Sequence, residues 1–313
     1  MESKKVVVCG GGVLGNQIAF VSAYWGYDTT IWLRSQGSIG RTKPKLEMTK
    51  KMMLDDIDKM EKDPTYIALG LVKDKDDKDY AGMKKKVEDA FKGIKLELDL
   101  AKAVKDAYIV VEAMSENVKD KKAFFQKLAP DLGEKTILVT NSSTLLPSKF
   151  VKYTKCPDRF AALHFANHIW QNNTAEVEAQ PKTSAATFDE VMAFSKSIHM
   201  IALPLHKEKN GYLLNSMLVP FLFAGLDLYA TGISDPKSID TAWKVGTGAP
   251  EGPFEIMDVV GLKTVYEIVE MYVKIPSFLA PYHFKDMARV IQEMIDQKKL
   301  GRSSGEGFYK YSK

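Results

Sequence analysis

The chain has 313 residues, of which 45% are hydrophobic and 27% charged, with a formal net charge of +4. That length points to two domains with a sizeable core, and the composition is that of a globular protein without a disordered tail. Acidic and basic residues are interleaved, as in Asp74-Lys-Asp-Asp-Lys-Asp79, so there is no basic face for nucleic acid, and no apolar run approaches the ~20 residues of a membrane span.

Lys5–Cys9 is a β-branched run ending in glycines, followed by a helical pattern over Leu14–Tyr24 with small residues at Gly15, Ala19 and Ala23. This reads as strand, tight turn and helix. Glycines interrupt the first apolar run after four residues, so a signal peptide is not expected and a reducing cytoplasm is the expected location. Cys9 and Cys156 lie far apart, in no metal or redox spacing, and read as structural thiols; no metal site is expected. Further strands are predicted at Thr29–Leu33, Ile94–Leu98, Tyr108–Val111, Thr136–Thr140 and Phe160–Phe165, with amphipathic helices such as Leu100–Ala107 and Lys119–Ala129 between them. Alternating strands and helices predict an α/β, Rossmann-type, doubly wound and mostly parallel sheet. The Lys- and Met-rich span Met48–Phe91 interrupts this pattern as a helical excursion, about 41–92, pictured as a hairpin of helices. After a last strand near Met200–Leu205 the chain becomes all-helical: Gly211–Ala230 carries Pro220 as a kink, Asp235-Pro236 caps a helix, and Leu262, Val265, Val269 and Tyr272 keep a 3.6 period. The predicted domains are 1–205, binding a dinucleotide, and 206–313, an all-helical part for dimerisation and substrate.

Gly10-Gly11-Gly12-Val13-Leu14-Gly15 fits G-x-G-x-x-G and sits where that pattern has a mechanism, directly after a strand and opening a helix. Gly10 permits the turn, Gly12 lets the backbone approach a pyrophosphate, and Gly15 allows close helix packing, with Val13 and Leu14 completing the contact at the helix N-terminus. An ordinary glycine-rich turn is the plainer alternative. Where an acidic residue holds the ribose of NAD, this chain has Leu33, followed by Arg34 and Ser35. A guanidinium there suits a 2′-phosphate, and Arg41 and Lys43 are placed to reinforce it. The expected cofactor is NAD(P), with NADP favoured; a site tolerating either cofactor beside an exposed Arg34 is the alternative.

Between Thr140 and Val177 a series of polar residues follows: Asn141-Ser142-Ser143, then His164-Phe-Ala-Asn167, then Glu176. A hydroxyl, an imidazole and a carboxylate at strand ends supply a donor, a base and an orienter for moving one proton. Imidazole gains and loses protons near neutral pH, Glu176 would fix the tautomer of His164 and favour the imidazolium, and Ser143 with a side-chain amide would bond the oxygen that gains charge. The remaining histidines, His168, His199, His206 and His283, read as satisfied core residues.

On these motifs the chain resembles the L-3-hydroxyacyl-CoA dehydrogenase family, including the 3-hydroxybutyryl-CoA dehydrogenases. The resemblance runs over nearly the whole length. It is carried by the glycine turn, Val111-Glu-Ala-Met-Ser-Glu116-Asn-x-x-x-Lys121, Asn141-Ser-Ser143, His164-Phe-x-Asn167, Glu176-Val, Gly211-Tyr-Leu-Leu-Asn215, Gly252-Pro-Phe-Glu-x-x-Asp258-x-x-Gly261 and Gly305-Glu-Gly-Phe-Tyr-Lys-Tyr. The family implies a catalytic His164 paired with Glu176, Ser143 and Asn215 near the reacting oxygen, Glu116, Lys121 and Asn141 on the cofactor, and a homodimer. It implies interconversion of a short-chain 3-hydroxyacyl-CoA with its 3-oxoacyl-CoA. The Gly252-Pro253 turn and the Gly305–Tyr311 tail read as structural.

The chain departs from the family between His164 and Glu176, where Ala166, His168, Ile169, Trp170 and Gln171-Asn-Asn173 replace the usual residues, and at Asn210 and Ser216. These departures fall on the substrate side, and His168, Trp170 and the polar Gln171–Asn173 suit a small free 3-hydroxy acid of the gulonate or carnitine type. In the family this excursion helps hold coenzyme A, so Lys45, Lys50, Lys51 and Lys59 are candidate phosphate partners, with a solvated helix face the plainer role for most of them. From a different class, a non-catalytic NAD(P) sensor would need only the glycine turn.

Overall fold

The computed structural model describes residues 3–311. Three apolar runs that neighbour one another in the sheet are buried over nearly their whole length: β1 (Lys5–Cys9), β4 (Ile109–Glu112) and β5 (Ile137–Thr140). Continuous Val, Ile and Leu are what a parallel strand covered on both faces requires. Around them run β2 (Asp28–Trp32), β3 (Lys95–Glu97), β6 (Phe160–Phe165), β7 (Thr174–Ala179) and β8 (Ile201–Leu205), giving one eight-stranded sheet in the order β3-β2-β1-β4-β5-β6-β7-β8. Every pair is parallel except β6 with β7. Those two are joined directly by residues 166–173 with no crossover helix, so they can only pair antiparallel. The sheet changes direction of winding between β1 and β4, and ligands of such sheets bind beyond the strand carboxyl ends at that switch.

The connecting helices are α1 (Val13–Tyr24), α2 (Gln36–Lys62), α3 (Tyr80–Gly93), α4 (Leu100–Val104), α5 (Val118–Leu128), α6 (Val151–Thr154) and α7 (Ala185–Ser197). The excursion is a helical hairpin, as expected, but its first helix starts at Gln36 and not near 41. Ser35 sets that start: its side chain accepts the Ser38 amide and caps α2. Helices α2 and α3 pack on each other and on α1, with Met53, Ile57, Met60, Met83 and Val87 buried in the same apolar cluster as Ile18 and Phe20. The expected strand and helix positions match the structure to within a few residues; β7, which carries Glu176, had no predicted counterpart, because the Ala and Glu that make up most of TAEVEA are poor strand formers.

The chain divides into two compact units, Met1–Leu213 and Leu214–Lys313. The expected boundary after residue 205 lies short of this. Residues beyond β8 return to the sheet: the Lys209 amide donates to Glu178 Oε2 at 2.7 Å, the Leu213 amide to Glu176 Oε1 at 2.9 Å, and the Tyr212 hydroxyl to the Ser142 carbonyl at 2.7 Å. The second unit is all-helical, with α8 (Leu214–Ala230), α9 (Pro236–Thr247), α10 (Pro253–Val260), α11 (Leu262–Glu270) and α12 (Phe284–Asp296) around Leu226, Phe254, Met257, Leu262, Val269, Met287 and Ile291. The Gly252–Gly261 motif and the Gly305–Tyr311 tail are structural there. Buried Asp240 accepts the Phe254 and Glu255 amides at the start of α10, and buried Asp258 accepts the Phe308 and Tyr309 amides and the Tyr311 hydroxyl, docking the tail.

Candidate active site

The turn after β1 opens a cleft of about 490 Å³ within the first unit, at the switch between β1 and β4. Gly10 has φ +134°, and a Cβ there would strike the Ala113 carbonyl after β4; a Cβ at Gly15 would strike the Gly10 carbonyl. A Cβ at Gly12 would meet nothing within 4 Å, so its backbone faces open space at the N-terminus of α1. That cradle fits the pyrophosphate of a dinucleotide. Val13, Leu14, Leu33, Arg34, Glu116, Asn141 and Ser143 line the same cleft.

Four lining residues come from α2, because the helix begins at Gln36: Ser38, Arg41, Thr42 and Lys45 lie on one face at helical spacing. Arg41 Nη2 donates to Ser38 Oγ at 3.0 Å, and Lys45 Nζ lies 3.5 Å from the Gly11 carbonyl. Lys45, read from sequence as a coenzyme A contact, thus belongs to the glycine turn. Lys50 is paired with Glu88 at 2.9 Å, and Lys59 lies 3.6 Å over the ring of Tyr66, so neither stands free for a phosphate; Lys51 is exposed on α2. Ser35 serves as the cap of α2 and is not among the lining residues.

Below the rim, Lys121 is fully buried and pairs with Glu112, also fully buried, at 2.7 Å. The Glu112 carboxylate also accepts the Met114 amide and, at 2.6 Å, the Thr140 hydroxyl. Lys121 therefore does not line the cleft; it reaches up to Glu116 at 3.5 Å. Glu116 accepts from the Ser142 hydroxyl and from the amide and hydroxyl of Thr144. Burial opposes its charge, but Ser142, Lys121 and Thr144 outweigh that and hold its carboxyl below the usual range.

His164 and Glu176 face each other across the antiparallel β6–β7 pair, in register, and His164 Nδ1 lies 2.8 Å from Glu176 Oε2. Both are buried, at 6% and 3% exposure. A carboxylate accepts only, so Nδ1 carries the hydrogen and the basic lone pair of the neutral ring falls on Nε2. Asn141 Oδ1 accepts the Phe165 amide at 3.2 Å, linking the end of β5 to the residue after His164. Asn215 is the second residue of α8, in the second unit.

The departing segment is not a polar substrate surface. Trp170 is fully buried, and its Nε1 and Gln171 Nε2 both donate to Asp56 Oδ2 at 2.6 Å, while the Tyr66 hydroxyl donates to Oδ1 at 2.6 Å. Asn172 and Asn173 bond the carbonyls of Asn167 and His199. Trp170 and Gln171 thus hold the hairpin to the sheet, and the two asparagines brace the loop between β6 and β7. The other histidines are not core residues: His206 and His283 are exposed, and His168 and His199 occupy left-handed turn positions with φ of 56° and 58°. Sequence reasoning missed Glu112, Ser142 and Tyr212. Each sat inside a motif quoted for a neighbour: Glu112 beside Glu116, Ser142 beside Ser143 and Tyr212 beside Asn215, so the signal was there but was read onto the adjacent residue.

A doubly wound sheet with a glycine cradle at its switch point and a His–Glu pair on neighbouring strands is a dinucleotide-binding oxidoreductase domain. Residues 5–208 match the family model described as "3-hydroxyacyl-CoA dehydrogenase, NAD binding domain", and 211–311 match "3-hydroxyacyl-CoA dehydrogenase, C-terminal domain". The chain belongs to the 3-hydroxyacyl-CoA dehydrogenase family and is an oxidoreductase with an NAD-binding domain. It is 33% identical over 310 residues to the human mitochondrial hydroxyacyl-coenzyme A dehydrogenase, covering 98% of this chain and 91% of that one. A solved diketoreductase, described by its substrate-directed dual catalysis of dicarbonyl compounds, is 41% identical with a TM-score of 0.82, covering 99% and 100% of the two chains. The (S)-3-hydroxybutyryl-CoA dehydrogenase of Ralstonia eutropha shares the fold at a TM-score of 0.75 and 24% identity over the full length of both.

Proposed function

We propose that this enzyme interconverts a short-chain 3-hydroxyacyl-CoA and its 3-oxoacyl-CoA with His164 as general acid/base. The observation that carries the reading is the 2.8 Å bond from His164 Nδ1 to Glu176, which leaves Nε2 to exchange the substrate proton. NAD(P), when bound, accepts or supplies the hydride. In oxidation His164 Nε2 takes the C3 hydroxyl proton; in reduction it gives one to the C3 oxygen. Ser143 is assigned to that oxygen from its place in the cleft, and Asn215 by its family motif alone. Gly10, Gly12, Val13, Leu14 and Gly15 hold the pyrophosphate, and Glu116 and Asn141 the nicotinamide side. Lys121 acts through Glu112 and Glu116.

NADP is the favoured cofactor. Leu33 supplies no carboxylate to a ribose, while Arg34, Arg41 and Ser38 line the same end of the cleft. A second reading is reduction of a dicarbonyl compound, favoured by the 41% identity to a diketoreductase described as acting on dicarbonyl compounds; the engagement of Lys50 and Lys59 elsewhere favours a substrate without coenzyme A. A homodimer is supported by the exposed Ile233, Val245, Met271, Phe278 and Leu279 of the second unit, and a reducing compartment such as the cytoplasm by the free, buried thiols of Cys9 and Cys156.

Turnover of acetoacetyl-CoA and of a free β-dicarbonyl ester, each with NADPH and NADH, tests these assignments. His164→Gln should lower kcat by at least ~100-fold with cofactor Kd unchanged; an unaltered kcat removes His164 from the chemistry. Higher kcat/KM with NADH overturns the role of Arg34.

A further inference from the structure

We propose that Tyr212 is a positioning residue for the His164–Glu176 pair: its ring fixes the plane of the imidazole, and its hydroxyl ties that ring to the rim of the cofactor cleft. The inference rests on His164 being the acid/base. The Tyr212 and His164 rings lie parallel, 4.5 Å apart with an interplanar angle of 4°. The Tyr212 hydroxyl donates to the Ser142 carbonyl at 2.7 Å, and the Ser142 hydroxyl in turn donates to Glu116. The next residue completes the hold, since the Leu213 amide donates to the Glu176 oxygen that His164 does not use.

A single bond through Nδ1 leaves an imidazole free to tilt, with the carboxylate following it. A flat ring stacked on one face removes that freedom, and a backbone amide on Oε1 stops the carboxylate from following. Tyr212 is 2% exposed and has φ of 51°, a conformation an L-residue other than Asn or Asp rarely takes, directly after Gly211 at φ 79°. The backbone accepts that conformation where it delivers the ring to His164. The turn is anchored from behind, with the Tyr212 amide on the Lys209 carbonyl and the Lys209 amide on Glu178.

Tyr212→Phe, which keeps the ring, and Tyr212→Leu, which does not, separate the two contacts. With acetoacetyl-CoA or a β-dicarbonyl ester as substrate, Tyr212→Leu should lose ~10- to 100-fold in kcat while KM for the cofactor stays within about twofold, because misplacement of a reacting group is felt in the chemical step. The deuterium isotope effect on kcat with 4-deuterated reduced cofactor should rise, which a smaller folded fraction would not cause. Tyr212→Phe should recover most of kcat. A folded Tyr212→Leu enzyme with wild-type kcat and isotope effect overturns the proposal. Tyr212→Met, filling the space without an aromatic face, reads the same quantities if the leucine variant does not fold. His164→Gln run alongside separates the causes: wild-type kcat there overturns the acid/base assignment, and the positioning role with it.

Discussion

Glu178 is fully buried, accepts one backbone amide, and has no partner for its second oxygen among the described residues. Burial first, with Glu208 and Glu176 adding repulsion, pushes its carboxyl up to about 7. The folded protein therefore binds a proton that the unfolded chain releases near the ordinary glutamate range. Stability contributed by this group is full below that range and is lost as pH rises through about 7. Glu178→Gln should flatten this dependence, gaining at most about 3 kcal/mol over wild type at pH 8.5 and nothing near pH 4; urea melts at both values measure it, and parallel pH curves for the two proteins would refute it. Lys121 makes the opposite case. Lys121→Met strands a buried Glu112 charge and should cost about 3–5 kcal/mol in chemical denaturation, whereas a lysine serving only the cofactor would leave stability unchanged.

The hairpin of α2 and α3 is tied to the sheet by one carboxylate. Asp56 receives the Tyr66 hydroxyl, the Trp170 indole and the Gln171 amide, and the Trp170 carbonyl receives the Gly70 amide. Asp56→Ala leaves the buried indole without an acceptor and should cost about 1–3 kcal/mol. Limited proteolysis between α2 and α3, over residues 63–79, should accelerate; equal cleavage rates would show that the clamp does not hold the hairpin. Such a role was hidden in the sequence, because Asp56 and Trp170 are 114 positions apart and each reads locally as an ordinary helix or loop residue. The start of α2 was likewise missed, since Gly37, Ser38 and Gly40 make a poor helix sequence and the cap at Ser35 places it.

At the scale of the chain, the two units have separate cores, and the apolar exposure is concentrated in the second. Sedimentation equilibrium at micromolar concentration should return twice the chain mass, with Phe278→Glu and Met271→Glu shifting it toward one; a wild-type monomer would refute the dimer. Among the described residues no helix is long and apolar enough to cross a membrane. The strand-turn-helix with its Gly10 to Gly15 turn, the parallel sheet, the helical second unit and the meeting of His164 with Glu176 were legible from sequence alone. Those features are written in local periodicity or in motifs whose spacing is itself the mechanism. What a polar side chain faces is not local. Tertiary structure alone sent Lys121 below the cleft, Lys45 to the glycine turn, Gln171 to a carboxylate on α2 and Tyr212 onto His164, because those partners depend on strand order and on how far the chain returns after β8.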